Sequence, residues 1–230
     1  MKTSRVWNDQ VPEKDGVKSP INDVAYSPDG TKVVVAVGNR VLLYNAESGD
    51  LIESLRGHKD TVYSVDFSFD GNRFASGGAD NIVVIWKSTG QGMLKYNHTA
   101  SIQRVVYNPS TLQLASCSEV DFGMWTPDQK QVTKEKTQSK ITSAAWASDG
   151  SIFAIGMQSG LISIRNSQTD ETHRIERRAP VWCLAFLPNP VISSKLVPPV
   201  GVPESETLVV GCWDKTVSFY KMQGTSHRVQ

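Results

Sequence analysis

The chain has 230 residues, of which 39% are hydrophobic and 20% charged, the balance of an ordinary globular protein long enough to bury one or two cores. Its 24 basic and 23 acidic residues leave a net charge of +1, which excludes a broad basic footprint for nucleic acid or membrane headgroups. No apolar run approaches a membrane span, and three cysteines outside any C-x-x-C spacing indicate neither a disulfide framework nor a zinc site.

The N-terminal stretch to Gly16 lacks an apolar core of signal-peptide length, so a reducing, intracellular compartment is expected. Within it, Ser4 to Asn8 reads as a lone outer strand and, with the lead-in, occupies residues 1–19. From Ile21 a unit begins, INDVAYSPDGTKVVVAVGNRVLLYN, and its features recur from Thr61, Ser101, Ile141 and Val181, a step of about 40 residues. In Val62 to Phe67 apolar and polar residues alternate, as a strand requires. Pro28-Asp29-Gly30, Asp70-Gly71 and Asp149-Gly150 then supply turns, and β-branched runs such as Ile82 to Trp86 supply further strands. No window has a sustained helical period.

The fold class is therefore all-β. A lone four-stranded sheet exposes an apolar face and two edges, and stacking copies about an axis buries the faces. The expected architecture is a β-propeller with five four-stranded antiparallel blades, at about 20–56, 57–98, 99–138, 139–176 and 177–230. At about 40 residues per blade a seven-bladed ring needs about 280, so the chain reads as a fragment of such a ring, favoured over an open crescent of five units because that would expose apolar faces at both ends.

The second unit sets Gly57-His58 before its first strand, Ser76 in its second, Asp80 in the next turn and Trp86 at the end of its third. This spacing resembles the WD40 family, which implies a structural tetrad: the Asp orients the His, the His meets the Ser, and the Ser reaches the Trp indole. A catalytic Ser-His-Asp reading is disfavoured, since no G-x-S-x-G elbow accompanies Ser76. The third unit retains a partial tetrad, His98, Ser116 and Trp125, with its acid moved to Asp121. At the Trp position the first, fourth and fifth units carry Tyr44, Arg165 and Tyr220, the fifth keeping Asp214. Cys117 and Cys212 fall in second strands and are expected to be buried as small apolar groups, and Cys183, in the fifth unit's first strand, reads with them as a structural thiol.

Two features interrupt the repeats. Five prolines between residues 187 and 206 forbid a regular strand and mark an exposed insertion. Its Lys195, Pro198, Pro199 and Pro203 are candidate partner contacts against a plainer reading as a tolerated loop. Lys130, Lys134, Lys136 and Lys140, and likewise Arg174, Arg177 and Arg178, read as solvated charge that keeps outer edges from pairing, with a basic docking strip as the alternative.

Beyond the repeat, GHKDTVYSVDFSFDGNRFASGGADNIVVIW and above all SCSEVDFGMW, with its shortened turn, resemble the N-terminal propeller of the intraflagellar transport protein 122 family. The resemblance covers nearly the whole chain. It implies a non-catalytic scaffold without cofactor or metal, at the cilium or flagellum and basal body. It further implies a hetero-oligomer with other subunits of intraflagellar transport complex A, serving retrograde transport and entry of membrane-protein cargo through adaptors, with no nucleic acid and no membrane insertion. Two other classes of propeller make distinct demands on the sequence. A substrate-receptor or chromatin-reader propeller would ring its channel with arginines, for which only Arg104 and Arg178 are candidates. A propeller enzyme would need convergent carboxylates or metal ligands, and His58, His98, His173 and His227 are scattered.

Overall fold

In the computed structural model the described residues are 6–9, 19–128, 132–187, 206–223 and 228–229. They form five four-stranded antiparallel sheets and no helix. The first sheet is β1 (Ile21–Tyr26), β2 (Lys32–Val37), β3 (Arg40–Asn45) and β4 (Leu51–Arg56), and the second is β5 (Val62–Phe67), β6 (Arg73–Gly78), β7 (Ile82–Lys87) and β8 (Gly92–Asn97). The third comprises β9 (Ile102–Tyr107), β10 (Leu114–Ser118), β11 (Asp121–Trp125) and β12 (Thr133–Lys136). The fourth comprises β13 (Ile141–Trp146), β14 (Ile152–Met157), β15 (Leu161–Asn166) and β16 (Glu171–Glu176). The fifth is β17 (Val181–Leu187), β18 (Thr207–Cys212), β19 (Val217–Gln223) and the short β20 (Arg228–Val229). Each sheet is a simple up-and-down meander.

The turns after the first strands follow from their residues. Gly30 and Gly71 hold φ of 71° and 67°, a left-handed backbone that glycine adopts without a Cβ penalty. Beside them Ser27 Oγ donates to Asp29 Oδ1 and Ser68 Oγ to Asp70 Oδ1, each at 2.6 Å. The hydroxyl and the Thr31 amide hold the Asp29 carboxyl down at about 2, so the turn is ionised at any ordinary pH.

The chain divides into two compact units, 1–105 and 106–230, the division running through β9. In the first unit Val34, Val41 and Leu43 of the first sheet share a core with Val62, Val65, Phe67, Phe74 and Trp86 of the second. In the second unit the fourth sheet has neighbours on both faces. Phe153 and Ile155 join Phe122 and Met124 of the third sheet, while Ala154, Ile162 and Ile164 join Val181, Leu184 and Leu208 of the fifth. A middle strand covered on both faces is buried throughout, as β14 is from Ile152 to Met157.

Simple alternation fails in the first strands. The register shifts between Val62 and Ser64, and at the corresponding places between Ile21 and Asp23, Ile141 and Ser143, and Val181 and Cys183. A bulge adds one residue and reverses the phase of those that follow. Strict period two would set Val62 and Val65 on opposite faces; the bulge at Tyr63 puts both in one core. The displaced residue, Tyr63, remains exposed.

Candidate functional site

The second sheet joins its four motif residues in one buried chain. His58 Nδ1 lies 3.1 and 3.2 Å from the two Asp80 oxygens, and His58 Nε2 lies 2.7 Å from Ser76 Oγ. Trp86 Nε1 donates to the same Ser76 Oγ at 2.8 Å. Proton counting fixes the direction: the indole can only donate, so the Ser76 hydroxyl gives its proton to His58 Nε2, and His58 Nδ1–H gives to Asp80. Asp80 also accepts from the backbone amides of Lys59 at 2.9 Å and Ile82 at 3.2 Å. Burial would raise the Asp80 pKa, but these hydrogen bonds outweigh it and hold the carboxyl below its usual range. For His58 burial dominates and pushes the pKa down despite Asp80, so the ring is held neutral.

Gly57 belongs to the same arrangement, since a Cβ there would fall 2.5 Å from Trp86 Cη2. The Ser-to-His-to-Asp polarity is that of a catalytic triad, but Ser76 is fully buried and its oxygen already receives the indole. The chain ties the approach loop, β6, the following turn and β7 together.

Of the third sheet's partial set, His98 lies in the first unit and Ser116 and Trp125 in the second, all three buried. Asp121 opens β11, where the Ser118 hydroxyl donates to it and its own amide donates back to Ser118 Oγ at 3.1 Å. The two-residue turn thereby closes on itself.

Where tryptophan is replaced, other side chains take over the bridging. Tyr44 donates its hydroxyl to Asp9 Oδ2 at 2.8 Å and stacks on Trp7 with centroids 5.9 Å apart. Burial, reinforced by Asp9, pushes its pKa up to about 12. Trp7 also donates to the Ala46 carbonyl at 2.8 Å. Of the expected N-terminal strand, residues 4 and 5 lie outside the described residues; 6–9 form no strand and rest on the first sheet. Arg165 reaches Ser163 Oγ, Glu135 Oε2 and the Thr169 carbonyl at 3.0, 2.6 and 2.6 Å, its guanidinium 4.7 Å over the Phe122 ring. Arg177 donates to the Tyr220 hydroxyl at 3.1 Å, and Asp214 receives the Thr216 amide at 3.0 Å.

Neighbouring sheets are also pinned through residues at or just after the bulges of β1, β5 and β13. Asp23 Oδ2 accepts from Ser64 Oγ, the Val65 amide and Arg104 Nη1 at 2.9, 3.1 and 3.2 Å. The Val105 amide donates to Ser64 Oγ at 3.2 Å, and the Leu184 amide to Ser143 Oγ at 3.0 Å. Motif reading missed these residues. Superposing the first strands would have aligned Asp23, Ser64, Ser143 and Cys183, but their partners lie about forty residues away.

Cys117 is buried, whereas Cys212 is only half-buried and Cys183 exposed, so the burial expected of Cys212 is corrected: β17 and β18 have one open face. Lys134 and Lys136 are exposed on β12, and Lys140 is paired to Glu119 at 2.7 Å. Lys130 lies outside the described residues, as do Lys195, Pro198, Pro199 and Pro203 of the proline-rich insertion. Among the described residues no three His, Cys, Asp or Glu side chains converge in a way that would hold a metal.

Five meander sheets packed face to face within their units, bulged first strands and an Asp-His-Ser-Trp chain define a WD40-type β-propeller chain. The family model described as IFT122 first beta-propeller matches residues 20–229, and the chain belongs to that family. It is 46% identical over 228 residues to the intraflagellar transport protein 122 homolog of Danio rerio, covering 97% of this chain and 18% of that protein. It is 49% identical over 180 residues to the Homo sapiens homolog, covering 76% of this chain and 14% of that protein. A more distant similarity, 22% over 203 residues, is to eukaryotic translation initiation factor 3 subunit I of Debaryomyces hansenii, covering 76% of this chain and 58% of that protein. The chain thus spans under a fifth of the length of its nearer relatives, and neither group is named for a catalytic activity.

Proposed function

We propose that this chain is a non-catalytic interaction module of a ciliary transport assembly, part of a core subunit of intraflagellar transport complex A. The observation that carries the reading is 46% identity across 97% of the chain to a protein named for intraflagellar transport. The polar chain agrees with it: Asp80, His58, Ser76 and Trp86 satisfy one another and leave no reactive atom at the surface. The module presents loops and sheet ends to other complex A subunits and to adaptors for membrane-protein cargo, on the cytoplasmic side of the cilium and its basal body.

A substrate receptor would need Arg104 and Arg178 as anion anchors, and the bond from Arg104 to Asp23 weakens the first. The test is affinity purification of the tagged full-length protein from ciliated cells with quantitative mass spectrometry. Recovery of other transport subunits in fixed ratio is expected. Ligase or chromatin components in their place would overturn the reading.

A further inference from the structure

The fifth sheet ends in a pair of aromatic side chains unlike anything at the corresponding positions of the other sheets. Trp182 is the bulge residue of β17, and Trp213 opens the turn between β18 and β19. Their ring centroids lie 5.5 Å apart at 38°, yet Trp182 is 60% and Trp213 65% exposed. Two paired indoles facing water leave a large apolar area unused, which is unusual on a folded surface and common at the centre of interfaces.

Their place in the repeat separates them from the surface that sheet stacking covers. On the open face of the same sheet, Val217 and Phe219 pair with Gly211 and Val209. They stand where the second sheet has Val83 and Ile85 and the fourth has Ile162 and Ile164, all buried. Those are stacking positions. The tryptophans are not. Trp182 corresponds to Tyr63, which stays 38% exposed even though its sheet is covered by Ile102 and Val105, and to Asn22 and Thr142, which reach the next sheet's Val62 and Val181 carbonyls and yet stay exposed and half-buried. Trp213, whose amide donates to the Pro180 carbonyl, corresponds to Gln158, whose amide donates likewise to Lys140 and which is also exposed. The pair therefore occupies the end of a sheet, where side chains keep part of their surface open when a neighbour packs on the face.

The surrounding charge decides what such a pair accepts. The loop before β17 brings Arg177 and the exposed Arg178, and the turn carries the exposed Lys215. The one acid in the turn, Asp214, is taken by the Thr216 amide and hydroxyl and lies 3.7 Å from Arg177. A net positive rim disfavours a cationic guest between the rings and favours carboxylates around an apolar one.

We propose that Trp182 and Trp213 form a recognition site for an extended acidic segment of a partner protein. One proline or leucine of the segment lies on the indoles, and its flanking carboxylates meet Arg178 and Lys215. This rests on the reading of the chain as an interaction module and names the chemistry of one of its partners.

The test uses the full chain against an array of short peptides, each with a central proline or leucine flanked by Asp and Glu, by Lys, or by trimethyl-lysine. The acidic set is expected to be retained, Trp182→Ala and Trp213→Ala each to weaken retention roughly tenfold or more, and Trp182→Phe to restore part of it. Arg178→Glu is expected to weaken only the acidic set. All variants should keep the parent's unfolding midpoint, because both indoles are exposed. Retention of no acidic peptide, retention unchanged by both Trp→Ala variants, or preference for the Lys or trimethyl-lysine sets would overturn the proposal. In the affinity purification above, transport subunits recovered by the parent while the array fails leave the interaction-module reading standing. A parent that recovers none removes both.

Discussion

Ser76→Ala is the sharpest probe of the polar chain. It deletes one oxygen that both accepts the Trp86 indole proton at 2.8 Å and donates to His58 Nε2 at 2.7 Å. The cavity left is no larger than a hydroxyl, so the packing loss is small. The cost lies in the two buried groups left without partners, an indole N–H and an imidazole nitrogen, at about 1–3 kcal/mol each. Because they share one network their losses overlap, and about 2–4 kcal/mol in total is expected. Urea unfolding followed by far-UV circular dichroism measures it, and Trp86→Phe supplies the second arm of a double-mutant cycle. Once Ser76 is gone, removing the indole N–H relieves an unsatisfied donor, so the combined loss should fall short of the sum by about 1 kcal/mol. A loss under about 0.5 kcal/mol for Ser76→Ala, or strict additivity of the two changes, would refute the assignment of stability to this chain.

Three further outcomes follow from the same geometry. Burial lowers the His58 pKa below its free value, so the folded state prefers the neutral ring; stability should be complete above about pH 6.5 and fall as the pH drops toward 5. Asp80, also lowered, adds a second loss only below about pH 4, and His58→Gln should remove the first step but not the second in acid titrations of the unfolding midpoint. Gly57→Ala places a Cβ 2.5 Å from Trp86 Cη2 and should cost about 1–3 kcal/mol by overpacking, whereas Gly71→Ala, with open space around its Cβ apart from Pro28 at 3.5 Å, should show only the smaller penalty of its φ of 67° in the same assay. Arg165→Lys should be nearly as destabilising as Arg165→Met, about 1–2 kcal/mol by thermal unfolding, because a lysine cannot span Ser163, Glu135 and Thr169 together or lie flat over Phe122; full rescue by lysine would show that charge alone matters.

The strand-turn-strand order was legible because it is local. Asp29-Gly30 and Asp70-Gly71 announce turns that close within five residues, and the β-branched runs between them have no helical alternative. The Asp-His-Ser-Trp chain was legible for a different reason: its spacing within one unit is constrained by the strands that carry it. The first-strand bulges were not legible. One extra residue in a ladder leaves no mark in composition, yet it places Val62 and Val65 in a common core and brings Ser64 to Asp23.

What the sequence by itself determined, then, was every feature whose partners lie inside one forty-residue unit: strand class, turn chemistry, and the buried polar chain of the second sheet. Tertiary structure alone decided what faces what between units. It set Trp7 on Tyr44, turned Arg165 across Phe122 toward Glu135, and left Trp182 and Trp213 together in water. The physical reason is that a side chain's direction depends on local backbone phase, whereas its environment depends on which surface folding brings opposite it, and that surface is encoded tens of residues away.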